Sequence, residues 1–88
     1  MNKTIWKFNI KSFHRGDIII SIPSGFKILQ CAIHPDKTLA IWAAVPPHAE
    51  EVEINILIRF TGESEPEKAE YIGTVIDSNN LVYHIYWN

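Results

Sequence analysis

The sequence predicts an all-β fold: a single small β-sandwich or partly open barrel of about seven antiparallel strands over residues 1–88. Runs of β-branched and aromatic residues recur at intervals of roughly 8 to 14 residues, and turn-forming residues separate them. The clearest run is 52–60, where every second residue is a large β-former. Strand side chains point alternately to opposite faces, so this run predicts a strand with one buried face.

The first three strands are predicted at residues 4–11, 17–23 and 26–33, because apolar side chains occupy alternate positions there. Residues 12–16 and 23–25 both end in glycine, which tolerates positive φ, and they predict the intervening turns. The residues predicted to share the inner faces are Trp6, Phe8 and Ile10, then Ile18, Ile20 and Ile22, then Leu29, Cys31 and Ile33.

The fourth strand is predicted at residues 38–45, after a turn at 34–37 that contains Pro35 and Asp36. It is apolar on both faces, with Trp42 on the side opposite the branched residues. Such a strand either lies centrally in its sheet or forms a second, exposed contact surface. From Trp42 and its neighbours we therefore expect a homo-oligomer.

The fifth strand is predicted at residues 51–61 and is the longest of the seven. Leu57 is an apolar residue on its otherwise polar side, which indicates a central strand. We expect the end of this strand near Arg59 to project toward the acidic loop 62–70 rather than to stop at the margin of the sheet.

The last two strands are predicted at residues 71–77 and 81–87, joined by a turn whose asparagines tolerate the left-handed backbone conformation. In the seventh run, His84 and Tyr86 fall on one face, and three apolar or aromatic residues fall on the other. The last strand therefore has one polar face and one core face.

Length and composition predict one soluble, intracellular domain. Eighty-eight residues make a single domain, and an apolar fraction of 47% is ample for a core. Cys31 is the only cysteine, so we expect a buried, reduced thiol and no disulfide within the chain. The N-terminus lacks the apolar segment of a secretory signal, and no run approaches the roughly 20 apolar residues that cross a membrane. We expect no membrane association.

The net charge of −2 is unevenly distributed along the chain. Residues 1–37 hold six Lys/Arg against two Asp, a charge of +4, whereas residues 38–88 hold two Lys/Arg against eight Asp/Glu, a charge of −6. The lysines of the first strand alternate with apolar residues and resemble a solvated face. A nucleic-acid binder usually carries a dense basic face, so we do not expect nucleic acid as a partner.

No residue pattern indicates catalysis or a cofactor. His14, His34, His48 and His84 are widely spaced and form none of the short motifs that bind metals. The four glycines form no phosphate-binding loop, and no serine lies in a nucleophile-elbow motif. We therefore expect no catalytic residue, no metal, no cofactor and no enzymatic activity.

Aromatic side chains and one arginine are the candidate binding or interface residues. Tyrosine and tryptophan combine apolar area with a polar tip, which is why they are enriched at interfaces and can also stack on nucleobases. The alternative is that these rings fill the core of a small domain. The candidates are Trp6, Trp42, Arg59, Tyr83, Tyr86 and Trp87.

Several segments resemble a family of all-β domains of about ninety residues, encoded by phages and prophages, whose function is not established. The matching segments include Lys-Thr-Ile-Trp-Lys at 3–7, Tyr-Ile-Gly-Thr at 71–74 and Leu-Val-Tyr-His-Ile-Tyr at 81–86. The resemblance spans nearly the whole chain, apart from a longer acidic loop and the final Trp87-Asn88. It implies no catalytic residues.

The resemblance and the apolar faces together predict a non-enzymatic phage-type protein that oligomerises and binds a target in the host cytoplasm. An inhibitor of a host defence protein is the leading interpretation. One alternative is a sponge that sequesters a small nucleotide signal between subunits. Another is a structural or accessory protein of the phage.

Overall fold

The computed structural model describes residues 2–11, 13 and 16–88. The described chain forms seven strands and no helix, which confirms the all-β prediction, and each strand end lies within one residue of its predicted position. The predicted turn at 12–16 lies largely outside the described residues, as does His14. The strands are β1 (Thr4–Ile10), β2 (Gly16–Pro23), β3 (Lys27–Ile33), β4 (Leu39–Val45), β5 (Glu51–Phe60), β6 (Glu70–Ile76) and β7 (Val82–Trp87).

The strands form two antiparallel sheets that enclose one core. The three-stranded sheet has the order β1-β4-β3, and the four-stranded sheet has the order β2-β5-β7-β6. The described strands do not close into a barrel, so the fold is the sandwich rather than the barrel. Strand β5 lies in the interior of its sheet, as Leu57 predicted, and β4 is also interior, which is one of the two alternatives that its apolar faces left open.

The core is built from the alternate residues of both sheets. Strand β4 contributes four buried side chains and β5 contributes three, so these two interior strands together supply seven of the twelve buried residues of the core cluster. The buried residues of the cluster are Ile10, Ile22, Cys31, Leu39, Ile41, Ala43, Val45, Ile54, Ile56, Ile58, Val75 and Ile85.

The outward side of the three-stranded sheet has Trp42 at its centre. Trp42 pairs with Lys7 of β1 on one side and with Gln30 of β3 on the other. We call this surface the Trp42 face. The register assigns to it Ile5, Lys7 and Asn9 of β1, Ala40, Trp42 and Ala44 of β4, and Lys27, Gln30 and Ala32 of β3.

A β-bulge in β3 contradicts the prediction that Leu29 lies on the inner face. The register shifts between Ile28 and Gln30, so Leu29 is the extra residue and its side chain is 43% exposed. Ile28 instead faces the core before the bulge, and Cys31 faces it afterwards. A bulge shifts the alternation by one position, which simple period-2 reasoning does not anticipate.

A second irregularity, in β6, brings Gly73 close to Cys31. The register of β6 shifts between Tyr71 and Gly73, and β6 packs against β3 of the other sheet. A methyl group on Gly73 would lie 3.0 Å from Cys31 Sγ, closer than ordinary van der Waals contact. Glycine at this position therefore lets the two sheets approach each other.

We expect Ile56→Ala to lower the free energy of unfolding by about 2–5 kcal/mol, because Ile56 is fully buried in the core. Ile19→Ala is the matched control, since Ile19 is 61% exposed and its loss should cost no more than about 0.5 kcal/mol. Urea unfolding measures both. Equal costs for the two variants would contradict the assigned core.

We expect Gly73→Ala to destabilise the domain by about 1–3 kcal/mol through overpacking against Cys31. In a Cys31→Ala background the added methyl group no longer meets sulfur, so the same substitution should cost less. Urea unfolding of the two single variants and the double variant gives the coupling energy. Strictly additive costs would show that the Cys31 contact is not the constraint.

Candidate functional site

A polar cavity of about 220 Å³ opens on the outward side of the four-stranded sheet. Residues 59–65, from the end of β5 and the following loop, line it together with His84 and Tyr86 of β7. We call it the His84 cavity. It lies where the end of β5 meets the acidic loop.

Strand register explains how the cavity side chains come together. Arg59 pairs with His84, which in turn pairs with Thr74 of β6, so these three side chains form one row on the outward face. The neighbouring row runs from Asp17 through Leu57 and Tyr86 to Tyr71. Leu57 faces outward but is only 4% exposed, so a buried apolar side chain lies beside the polar row.

His84 belongs to a chain of four hydrogen-bonded side chains, and its neighbours in the chain fix its ring. Its Nε2 lies 2.8 Å from Thr61 Oγ1, and its Nδ1 lies 3.0 Å from Thr74 Oγ1. Thr74 Oγ1 is in turn 2.5 Å from the Tyr71 hydroxyl. Both imidazole nitrogens are therefore engaged, so the ring orientation is set by groups on β6 and on the loop after β5.

The loop after β5 returns over the sheet through a tight turn at Gly62. The Glu63 N–H donates to the Phe60 carbonyl at 3.1 Å, and Gly62 has φ of 97° at the third position of this turn. This is the geometry of a type II turn, which favours glycine at that position. The Phe60 N–H also donates to Glu63 Oε1 at 2.6 Å. The turn places the following residues along the edge of the cavity.

The charges around the cavity leave it with an acidic rim. Arg59 Nη1 donates to Asp17 Oδ1 at 3.3 Å and to the Ile58 carbonyl at 3.0 Å, so the one Lys or Arg among the described lining residues already has an anionic partner. The Tyr86 hydroxyl donates to Glu65 Oε2 at 3.4 Å. Burial, and then the negative charge of Glu65, raise the pKa of the Tyr86 hydroxyl. Tyr86 therefore remains a neutral phenol beside the carboxylate.

The structure separates the six predicted site residues into three locations. Arg59 and Tyr86 meet at the His84 cavity. Trp42 lies on the opposite side of the sandwich. The other three pack against the core, with ring neighbours Phe8 for Trp6, Phe13 and Phe60 for Tyr83, and Phe26 for Trp87.

Sequence reasoning did not find the partners of His84. Thr61 and Thr74 lie 23 and 10 residues from it in sequence, and only the pairing of β6 with β7 and the Gly62 turn bring them close. The one sequence signal was the alternation in β7, which assigned His84 and Tyr86 to the same polar face. The register confirms that assignment.

The Cys31 thiol is buried, and the described acidic, cysteine and histidine side chains form no metal-binding group. Burial raises the pKa of the Cys31 thiol to about 11, so it stays protonated at neutral pH. Among the described residues, no three His, Cys, Asp or Glu side chains are grouped to hold a metal ion. The described part of the chain also contains no helix long and apolar enough to cross a membrane.

With the fold and the cavity established, comparison with known families identifies the domain. The description "Domain of unknown function (DUF7352)" matches residues 1–88, the whole sequence. The chain belongs to the DUF7352 family. No curated protein and no solved structure shows significant similarity to it. The expected membership of a family without an established function is thus confirmed for DUF7352, and a phage or prophage origin stays a prediction.

We expect Asp77→Asn to weaken the acid dependence of stability in the DUF7352 domain. Burial alone would raise the pKa of the Asp77 carboxyl, but hydrogen bonds from the Leu81 and Asn79 N–H groups and the Tyr83 hydroxyl hold it below its usual value. A lowered folded-state pKa stabilises the fold at neutral pH, and this contribution is lost as the pH falls below about 5 toward the folded pKa.

Thermal unfolding between pH 7 and acidic pH measures how the stability of each variant depends on pH. The Asp77→Asn variant should melt at a lower temperature than wild type at pH 7, and the two curves should converge in acid. Tyr83→Phe removes one of the three donors and should give a smaller change of the same sign. Parallel curves for Asp77→Asn and wild type would contradict the assigned role.

Proposed function

We propose that the DUF7352 domain is a non-catalytic protein-binding domain that receives a basic side chain of its partner in the His84 cavity. The observation that carries the proposal is a polar cavity of about 220 Å³ with Glu65 and Tyr86 at its rim. The cavity is held between an interior strand and a loop anchored to it, so its shape is preorganised.

The size of the cavity favours one side chain over a whole small molecule. Sites for drug-sized ligands and cofactors are clefts of about 300–1,000 Å³. A volume of about 220 Å³ is smaller than this range but accommodates the end of one long side chain. The ligand is then delivered as part of a partner's surface, which supplies the remaining contact area outside the cavity.

The charge of the cavity favours a cationic side chain. Asp17 already neutralises Arg59, so the lining offers no free positive charge from that residue to an anion. The loop 62–70 carries four glutamates against one lysine. The Glu65 carboxylate accepts hydrogen bonds, and such bonds from an ammonium or guanidinium group are roughly twice as strong as neutral ones. Lysine or arginine is therefore the complementary residue.

The surroundings of the two most reactive side chains support binding rather than catalysis. Both nitrogens of His84 are bonded to threonine hydroxyls, so the ring orders the cavity wall instead of activating a nucleophile. The Cys31 thiol is buried in the core with a raised pKa and does not line the cavity.

Capture of a small nucleotide receives less support from this geometry. Phosphate groups would approach the Glu65 carboxylate, and the arginine that could bind them is paired with Asp17. Four earlier expectations stay predictions: a host protein as the partner, inhibition of a host defence protein, a location in the host cytoplasm, and self-association.

Peptide selection tests the proposal. Short peptides selected from a random display library on the wild-type domain should be enriched in lysine or arginine. Glu65→Gln should weaken the selected peptides by at least about tenfold, which corresponds to one charge-assisted hydrogen bond. Fluorescence polarisation with synthetic peptides measures the affinities.

Glu67→Gln is the matched control, because it removes the same charge from the same loop at a residue outside the cavity lining. It should change the affinities less than about twofold. Selected peptides without basic residues, or equal losses in both variants, would overturn the proposal. Calorimetric binding of a nucleotide that Tyr86→Ala abolishes would instead support nucleotide capture.

A further inference from the structure

The Trp42 face combines an aromatic ring with positive charge and amide groups. Its nine residues include two lysines, one tryptophan, one glutamine and one asparagine, and no carboxylate. Proteins that bind single strands without strong sequence preference use aromatic rings for base stacking beside cations that follow the backbone. We propose that the Trp42 face binds single-stranded nucleic acid.

The lysines are placed on both sides of the ring. Lys7 is the cross-strand neighbour of Trp42, and its Nζ lies over the ring, 5.6 Å from the centroid, in a cation–π contact. Lys27, on the other edge strand of the sheet, pairs with Ala44, two residues along β4 from Trp42. A base that stacks on the indole takes the place of the Lys7 ammonium on the ring face, and Lys7 and Lys27 are then available to its flanking phosphates on either side.

Small residues surround the ring along its own strand. Ala40 and Ala44, two positions before and after Trp42 on the same strand, carry only methyl groups, and Ala40 is fully buried. Trp42 and Ala44 are partly exposed. Gln30 and Asn9 on the flanking strands add amide groups that can hydrogen-bond to base edges or to sugar hydroxyls.

Charge and shape favour this occupant over a peptide or a second copy with the same face. Two Trp42 faces brought together would juxtapose their lysines, which opposes a symmetric dimer. Peptides generally bind in a groove or along a free strand edge, whereas the Trp42 face is the surface of a sheet around a planar ring. In a nucleic acid, the planar base is complementary to the indole ring, and the phosphate backbone is complementary to the lysines.

Fluorescence anisotropy of a labelled oligothymidylate tests the inference with the full chain. Binding should weaken with salt, with a slope of log K against log salt of about −1.4 for two lysine–phosphate contacts. The double variant Lys7→Gln/Lys27→Gln should bind at least about tenfold more weakly at low salt. Trp42→Ala should lose about 5- to 100-fold in affinity, and Trp42→Phe should lose less.

Lys68→Gln is the matched control for lost positive charge, because Lys68 lies in the loop between β5 and β6, outside the Trp42 face. It should leave the affinity within about twofold of wild type, and circular dichroism of every variant verifies the fold. Three outcomes would overturn the inference: no binding at low salt, equal affinity for polyglutamate of the same charge, or self-association that the double lysine variant abolishes.

Discussion

The structure depends on burying the inner faces of two interior strands against each other. Strands β4 and β5 lie inside different sheets, and their alternate residues supply most of the core. An 88-residue chain buries only about 60–65% of the surface that its unfolded form exposes, so this contact cannot be weakened without consequence. The side chains at the inner positions are therefore needed for core packing. The close approach of Gly73 to Cys31 Sγ shows how little space remains between the sheets.

Because the inner positions pack the core, the outward positions of the same strands are the ones available for binding. The outward residues of β4 centre on Trp42 with lysines on both edges, whereas those of β5 and β7 form the His84 cavity beside an acidic loop. The uneven charge along the sequence becomes a separation in space, because lysines of β1 and β3 lie on one sheet and glutamates of β5 and the loop lie on the other side. The two proposed binding surfaces therefore differ in charge and lie on opposite faces of one small core.

Period-2 alternation is a strong signal, which is why all seven strands and the interior position of β5 could be predicted, whereas for β4 it left an exposed contact surface open as the alternative. It fails at Leu29, because a bulge is set by local backbone geometry that no residue pattern in β3 announced. Alternation also cannot say which strands become neighbours. The lysines of β1 looked like an ordinary solvated face, and only the pairing of β1 and β3 with β4 places Lys7 and Lys27 around Trp42. The threonines that hold His84 could not be predicted for the same reason.

Interior strands are also the elements on which a small domain can hold side chains most firmly. Trp42 and His84 each have a partner residue on both neighbouring strands, so the backbone beneath each of them is fixed from two sides, and Arg59 is paired with His84 on one side. Their side chains point away from the core, so substitutions there test the proposed binding roles at small cost to core packing. In the His84 cavity the ring is further restrained by two threonines, which leaves it rigid but without a free nitrogen for proton transfer. A surface of this kind favours binding, since preorganised side chains raise affinity without requiring reactive groups.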